Sequence, residues 1–250
     1  MKIKVYALQF TRELNYNKTL EKAKNLLKEA ESPDFALIGG EFSVNESINT
    51  NPYPALTDLA TTFNCNIVAP VNANVNRFPN SKQKGFSSMH VFNRKGKVVA
   101  IQDKYHFYWK ERPWFRQGKE VKVFEIEGIK IGLMRGLDVL YPDYSQQLKE
   151  AEVIFYSTMA IDNMMLDLAK TRTLENQCYF IMSSFIGPYV GMTFIGNAAI
   201  LESNFVITKG MRIVNQTKVL QYTTGEGIIQ GELDIDYIRK IKREYPLNEL

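Results

Sequence analysis

The sequence predicts an α/β protein in which two β-sheets pack face to face and helices cover them from outside. Three observations lead there. The first hundred residues alternate buried strands with amphipathic helices, a repetition that implies crossovers covering a sheet face. After residue 80 the pattern turns to strand pairs joined by short turns. Strands then return beyond residue 179, with a helix on either side of that stretch. No Ser/Gly/Pro-rich linker interrupts the chain and no repeat period is visible, so one domain spanning residues 1–250 is expected.

Taken in order, Ile3 to Phe10 reads as a buried strand. Asn17 is placed to cap a helix whose apolar stripe is Leu20, Ala23, Leu26, Leu27 and Ala30. Ser32-Pro33 stops that helix, and Phe35 to Ile38 is a short buried strand. Pro54 opens a second helix through Leu56, Leu59 and Ala60, and Ile67 to Ala69 is a third strand. Residues 72–85 are rich in Asn and read as a surface loop, or as a lid if they lie near a pocket. Ser87 to Phe92 and Val98 to Lys104 flank a hairpin turn at Asn93-Arg-Lys-Gly96. Val121 to Ile126 and Ile129 to Met134 flank a second one at Glu127-Gly128. Strands follow at Val153 to Tyr156, Tyr179 to Ser184, Ala198 to Leu201 and Ile228 to Leu233. Helices are expected over Met164 to Gln177 and Asp234 to Arg243. The methionines 159, 164 and 165 read as core filling.

The bulk composition narrows the function classes. The chain is 45% hydrophobic and 23% charged, the profile of an ordinary globular protein. Its net charge is +4, with 31 basic residues interleaved among 27 acidic ones. A nucleic-acid binder carries a denser basic stripe, so no nucleic-acid partner is expected. No apolar run is long enough for a membrane span, and the charges near the N-terminus interrupt a signal-peptide core. A cytoplasmic protein without a membrane partner is the expectation. Cys65 and Cys178 sit in apolar contexts and read as buried free thiols. His90 and His106 have no ligand spacing around them, so neither a metal nor any other cofactor is implied.

The chemistry concentrates at Ile131-Gly-Leu-Met-Arg-Gly-Leu-Asp138. An apolar strand runs into a turn at Gly136-Leu137-Asp138, and Pro142-Asp143 opens a helix. A strand-to-helix elbow of this kind presents a nucleophile to a pocket beside free backbone N–H groups. Here the elbow residue is glycine, which has no side chain to attack anything. Upstream, Glu41 follows the strand ending at Ile38, at the carboxyl end where open sheets place their sites. Lys104 ends the strand that begins at Val98, and Glu111 follows it. Taken singly, Glu41 reads equally as a solvated carboxylate, and Lys104 with Glu111 as a plain ion pair.

The order Glu41, Lys104, Glu111, elbow at 136 resembles the carbon–nitrogen hydrolase (nitrilase/amidase) family, whose catalytic set is Glu, Lys and Cys with a second Glu. Further matches run along nearly the whole chain: Leu8-Gln9, Phe115-x-x-Gly118, Asp138, Pro142-Asp143, Arg172-x-x-Glu175-Asn176 and Phe194-x-Gly196. The resemblance implies a four-layer α-β-β-α sandwich of the nitrilase type, assembled as a homodimer or higher homo-oligomer. It implies that Glu41 is the general base, that Lys104 donates to the tetrahedral intermediate, and that Glu111 orients Lys104 or the substrate. It puts His106 in a structural role. It also implies that Leu137, Ser157 and Thr158 line a pocket for a small amide-, nitrile- or carboxylate-type ligand.

This chain departs from the family pattern in three places. Gly136 replaces the cysteine, Gly40 replaces a proline before the base, and Arg135 stands where an apolar residue is usual. A charge at Arg135 needs a partner; Asp138 is one candidate and a polar ligand another, with a structural pair the favoured reading. The expectation is a carbon–nitrogen hydrolase-like protein that is impaired or non-catalytic and keeps a pocket. An amide hydrolase that uses a water activated by Glu41 is one alternative. A structural subunit of an assembly is another.

Overall fold

A computed structural model describes residues 1–11, 13, 16–39, 42–43, 51–73, 84–189, 191–207 and 213–246. Glu41, Gly40 and residues 74–83, most of the expected loop, lie outside the described residues.

The chain runs β1 (Lys2–Thr11), α1 (Tyr16–Lys28), β2 (Phe35–Ile38), β3 (Phe42–Ser43), α2 (Tyr53–Thr62), β4 (Asn66–Ala73), β5 (Phe86–Phe92), β6 (Val98–Asp103), β7 (Val123–Ile126) and β8 (Ile129–Arg135). A 3₁₀ turn at Gly136–Leu140 leads into α3 (Pro142–Gln147). The chain continues with β9 (Val153–Ser157), α4 (Met164–Glu175), β10 (Tyr179–Ser183), β11 (Phe185–Tyr189), β12 (Met192–Ile195), β13 (Ala198–Ile207), β14 (Ile213–Thr223), β15 (Gly227–Asp234) and α5 (Ile235–Glu244).

The first sheet has the order β12-β11-β1-β2-β4-β5-β6, with β15 on β1 and β3 on β4. Strand β1 is shared along one edge: Lys2 to Gln9 pair with β15, and Phe10 and Thr11 pair with β11. The second sheet has the order β14-β13-β10-β9-β8-β7. Its central strands β8, β9 and β10 are parallel. The hairpin turn between β7 and β8 is Glu127-Gly128, both with positive φ, as a two-residue turn that matches strand twist requires.

Apolar faces fix the layering. Val5, Ala7, Phe35, Leu37 and Val68 of the first sheet meet Ile131, Leu133, Val153, Phe155 and Ile181 of the second in a shared core. The Phe35 and Phe155 rings touch across that layer, 5.5 Å apart. Leu20, Ala23 and Leu27 of α1 and Leu56, Leu59 and Ala60 of α2 cover the outer face of the first sheet. Tyr144 of α3 and Met165, Leu166 and Ala169 of α4 cover the outer face of the second. The result is the α-β-β-α sandwich that the sequence predicts. Helix α5 is capped by Asp234, which accepts from the Asp236 and Tyr237 N–H groups, and turns Ile235 and Ile238 into the shared core.

Several expected elements end elsewhere. Helix α4 stops at Glu175, because Gln177 takes a left-handed φ of 48°. Strand β13 runs on to Ile207, and β11, β12 and β14 were not expected. Met165 is buried as core filling requires, whereas Met164 is exposed. Cys65 and Cys178 are free and buried, and burial pushes each thiol up to about 12.

Candidate active site

Strands β1, β2, β4 and β6 of the first sheet, and β8, β9 and β10 of the second, all end on one side of the molecule. Arg135 ties the two sheets together there. From the end of β8 its Nη1 donates to the Ser88 and Val71 carbonyls of β5 and β4, at 2.9 and 3.2 Å. Of the residues singled out by the sequence, Lys104, Glu111, Gly136, Ser157 and Thr158 are described and sit on this side.

Lys104 is the first residue after β6. Its N–H donates to Ser87 O and its carbonyl accepts from Gly118 N, so the backbone is fixed on both sides. The side chain is 5% exposed, and Nζ donates to Glu111 Oε1 at 2.6 Å. The ammonium also lies 5.1 Å from the centroid of the Phe107 ring. Glu111 uses its other oxygen to accept from Tyr108 N at 2.8 Å, which closes the loop that carries it. Among the described residues, Glu111 is the hydrogen-bond partner of the Lys104 ammonium. A buried lysine needs such a partner, since an unpaired buried charge is strongly unfavourable.

The elbow comes to this pair from the other sheet. Gly136 has a φ of 53°, a left-handed conformation that suits glycine and strains other L-residues. A β-carbon built on Gly136 would stand 3.0 Å from Lys104 Nζ and 3.2 Å from Cε. Residue 136 therefore faces the ammonium directly. Lys104, Glu111 and Gly136 come together, although Lys104 and Glu111 lie seven positions apart and Gly136 follows a strand of the other sheet.

Asp138 holds the elbow against the Lys104 segment. It is fully buried and accepts from His106 N at 2.7 Å and Tyr105 N at 3.2 Å, and His106 Nδ1 stands 3.1 Å away. Burial raises its pKa, and the His106 contacts act against that rise. His106 in turn stacks flat on Tyr141, with ring centroids 3.4 Å apart. This corrects the pairing suggested for Arg135: the partner of Asp138 is His106, and Arg135 reaches the carbonyls of the opposite sheet. The packing role expected for His106 agrees with the stack.

Of the expected wall residues, Ser157 ends β9 and lies in register between Arg135 and Ser183. Thr158 follows it, with its N–H on Ser183 O. Both are buried. The Leu137 side chain packs into the outer core with Met134 and Val139, beneath the elbow. Arg172 and Tyr156 act on the elbow from behind. Arg172 donates to the Val139 and Leu140 carbonyls and pairs with Glu175. Tyr156 donates from its hydroxyl to Gly136 O at 2.7 Å. Sequence reading found Arg172 as part of a motif and missed Tyr156, which sits in the buried run Ile154-Phe-Tyr and gives no signal of its own. No cluster of His, Cys, Asp and Glu among the described residues could hold a metal ion. Among the same residues, no helix is long and apolar enough to cross a membrane.

A four-layer sandwich with a lysine–glutamate pair at a strand-to-helix elbow defines a carbon–nitrogen hydrolase architecture. The chain belongs to the carbon-nitrogen hydrolase family, whose profile matches residues 14–243. A probable nitrilase of Schizosaccharomyces pombe is 21% identical over 202 residues, covering 77% of this chain and 68% of that protein. Among solved structures, a carbon-nitrogen hydrolase from Helicobacter pylori G27 superposes with a TM-score of 0.79 at 19% identity, over 100% of this chain and 95% of that one. Nit3 of Saccharomyces cerevisiae, a nitrilase-superfamily member, gives 0.77 at 18% identity, over 99% and 95%. A mutant of an amidase from Nesterenkonia sp. AN1, showing the result of Michael addition of acrylamide at the active-site cysteine, gives 0.74 at 17% identity, over 99% and 100%.

Proposed function

We propose that this chain is a carbon–nitrogen hydrolase-like protein of one domain, 1–250, that keeps a small-molecule pocket and lacks the family's covalent route. Gly136 stands where the nucleophilic cysteine belongs. One observation carries the reading: the β-carbon position of residue 136 faces Lys104 Nζ at 3.0 Å, and Lys104 is paired to Glu111 at 2.6 Å. In a mutant of the Nesterenkonia amidase the active-site cysteine has undergone Michael addition of acrylamide. In this chain position 136 offers no thiol, and both cysteines are buried elsewhere with thiols too basic to ionise near neutrality. Losing a nucleophile commonly lowers the rate by several orders of magnitude.

The retained donors suit a small amide-, nitrile- or carboxylate-type ligand. Lys104 supplies N–H groups to a carbonyl or carboxylate oxygen, Glu111 holds the ammonium in place, and Ser157 and Thr158 supply wall. The retained ion pair also favours a second reading, slow hydrolysis by a water that Glu41 activates, with Lys104 stabilising the oxyanion. The protein is expected to form a homodimer or higher homo-oligomer in the cytoplasm.

Two experiments test this. Thermal melts of the native chain across a panel of short amides and acids should give stabilisation that saturates, reaching about 2.7 kcal/mol at a hundredfold excess over Kd. An unchanged melting temperature across the panel refutes the pocket. Ammonia release from the same amides should be undetectable or very slow for the native chain and should rise at least a hundredfold in Gly136→Cys. A native rate within tenfold of the Gly136→Cys rate would instead establish the water route.

A further inference from the structure

The elbow is held by its carbonyls. Leu133 O accepts from the Tyr144 hydroxyl at 2.8 Å, Val139 O from Arg172 Nε at 2.9 Å and Leu140 O from Arg172 Nη2 at 3.3 Å. At the turn itself, Gly136 O accepts from the Tyr156 hydroxyl at 2.7 Å. Of these anchors, Tyr156 alone grips the peptide that carries residue 136.

We propose that Tyr156 is the positioning residue of the elbow: its hydroxyl fixes the Gly136 peptide and so aims position 136 at Lys104. Strand β9 delivers the tyrosine from beneath, where it is fully buried. Its ring packs edge-on against Phe180 at 5.7 Å, and the hydroxyl lies 3.4 Å from Met165 Sδ. Met165 Sδ is only a weak acceptor, and the shorter bond directs the phenolic proton to Gly136 O. Burial raises the pKa of the phenol, which keeps it a donor throughout the working pH range. The left-handed φ of 53° at Gly136 is a shallow minimum, and a backbone free to leave it would rotate position 136 away from the ammonium. The Gly136 carbonyl is half-buried, and without its donor it loses the bond that opposes such a rotation. Thr158, in reach of the same phenol, ties the expected pocket wall to this anchor.

The test uses a thiol at position 136 as a probe. Cys65 and Cys178 are buried with strongly raised thiols, so they stay silent to iodoacetamide in the folded chain. In Gly136→Cys the new thiol lies beside Lys104, and its alkylation should follow a pKa well below the ordinary value of about 8.5. Adding Tyr156→Phe, which keeps the ring, should raise that midpoint by about one unit and slow alkylation below it about threefold. A midpoint unmoved by Tyr156→Phe overturns the proposal. An ordinary midpoint in Gly136→Cys alone refutes instead the reading of position 136 as facing Lys104, so the two failures are distinct. If the cysteine variant does not fold, amide hydrogen exchange in Tyr156→Phe alone decides. Exchange at Leu137 and Asp138 at least tenfold faster than in the native chain, with β8 and β9 unchanged, supports the proposal, and unaltered exchange overturns it.

Discussion

Gly136 is the residue on which stability and chemistry pull in opposite directions. Its left-handed backbone relaxes only for glycine, and its missing side chain leaves the Lys104 ammonium uncrowded. Gly136→Ala should therefore lower unfolding free energy by about 1–2 kcal/mol in urea melts, although alanine is the better residue in most contexts. A stabilised variant would mean that the elbow relaxes out of the left-handed region. His90 makes a second prediction at this scale. Burial, with the Arg135 charge adding to it, lowers its pKa from 6.5 to about 4, and its Nδ1 stands 3.3 Å from the Tyr53 hydroxyl. The fold therefore favours neutral His90. That contribution is complete above pH 6.5 and is lost as pH falls towards 4, by an amount of order 3 kcal/mol. Stability measured by urea at stepped pH should decline across that window in the native chain, and His90→Gln should show a flatter slope.

Between elements, the decisive contact is α4 against the elbow. Arg172 is 4% exposed and bonds two backbone carbonyls of the 3₁₀ turn before α3, whereas its partner Glu175 is 43% exposed. The arginine matters through the carbonyls it satisfies, and the glutamate through a screened surface charge. Arg172→Leu should lose about 2–4 kcal/mol, because Val139 O is left buried and Leu140 O half-buried without this donor. Glu175→Gln should lose less than about 1 kcal/mol. Equal losses in the two variants would show that the ion pair, not carbonyl capture, is what α4 contributes.

At the scale of the whole molecule, the two sheets share one apolar layer in which Phe35 and Phe155 meet at 5.5 Å. Phe155→Ala should remove about 3–5 kcal/mol. It should also shift far-ultraviolet circular dichroism and tryptophan fluorescence by the same amount, since both sheets lose the contact together. Separate transitions would refute a common core. The same scale decides what the sequence could reveal. Val5 to Phe10 and Ile131 to Met134 are legible because central strands, covered on both faces, become continuous apolar runs. Glu127-Gly128 is legible because a two-residue turn demands its own residues. Strand β14 is not, since an edge strand carrying Asn215-Gln-Thr-Lys218 reads as loop. Gly187 and Pro188 hide β11 in the same way. At the site, Lys104, Glu111 and Gly136 were legible by their order along the chain. The carbonyls that Arg135 satisfies were not, because Val71 and Ser88 approach it from another sheet and any residue type could supply them.

Arg94 gives this architecture a division of labour. From the turn between β5 and β6 it binds Asp34, Glu127 and the Asn64 carbonyl, all of them at or before the starts of β2, β4 and β8. The knot thus fastens the sheets at the end opposite the elbow. The sheets are therefore fastened at both poles, by Arg94 at this one and by Arg135 beside the elbow. Changes at the rim of the elbow leave the Arg94 fastening untouched, so a library randomised there with Arg135, Gly136 and Arg172 kept should still yield folded proteins.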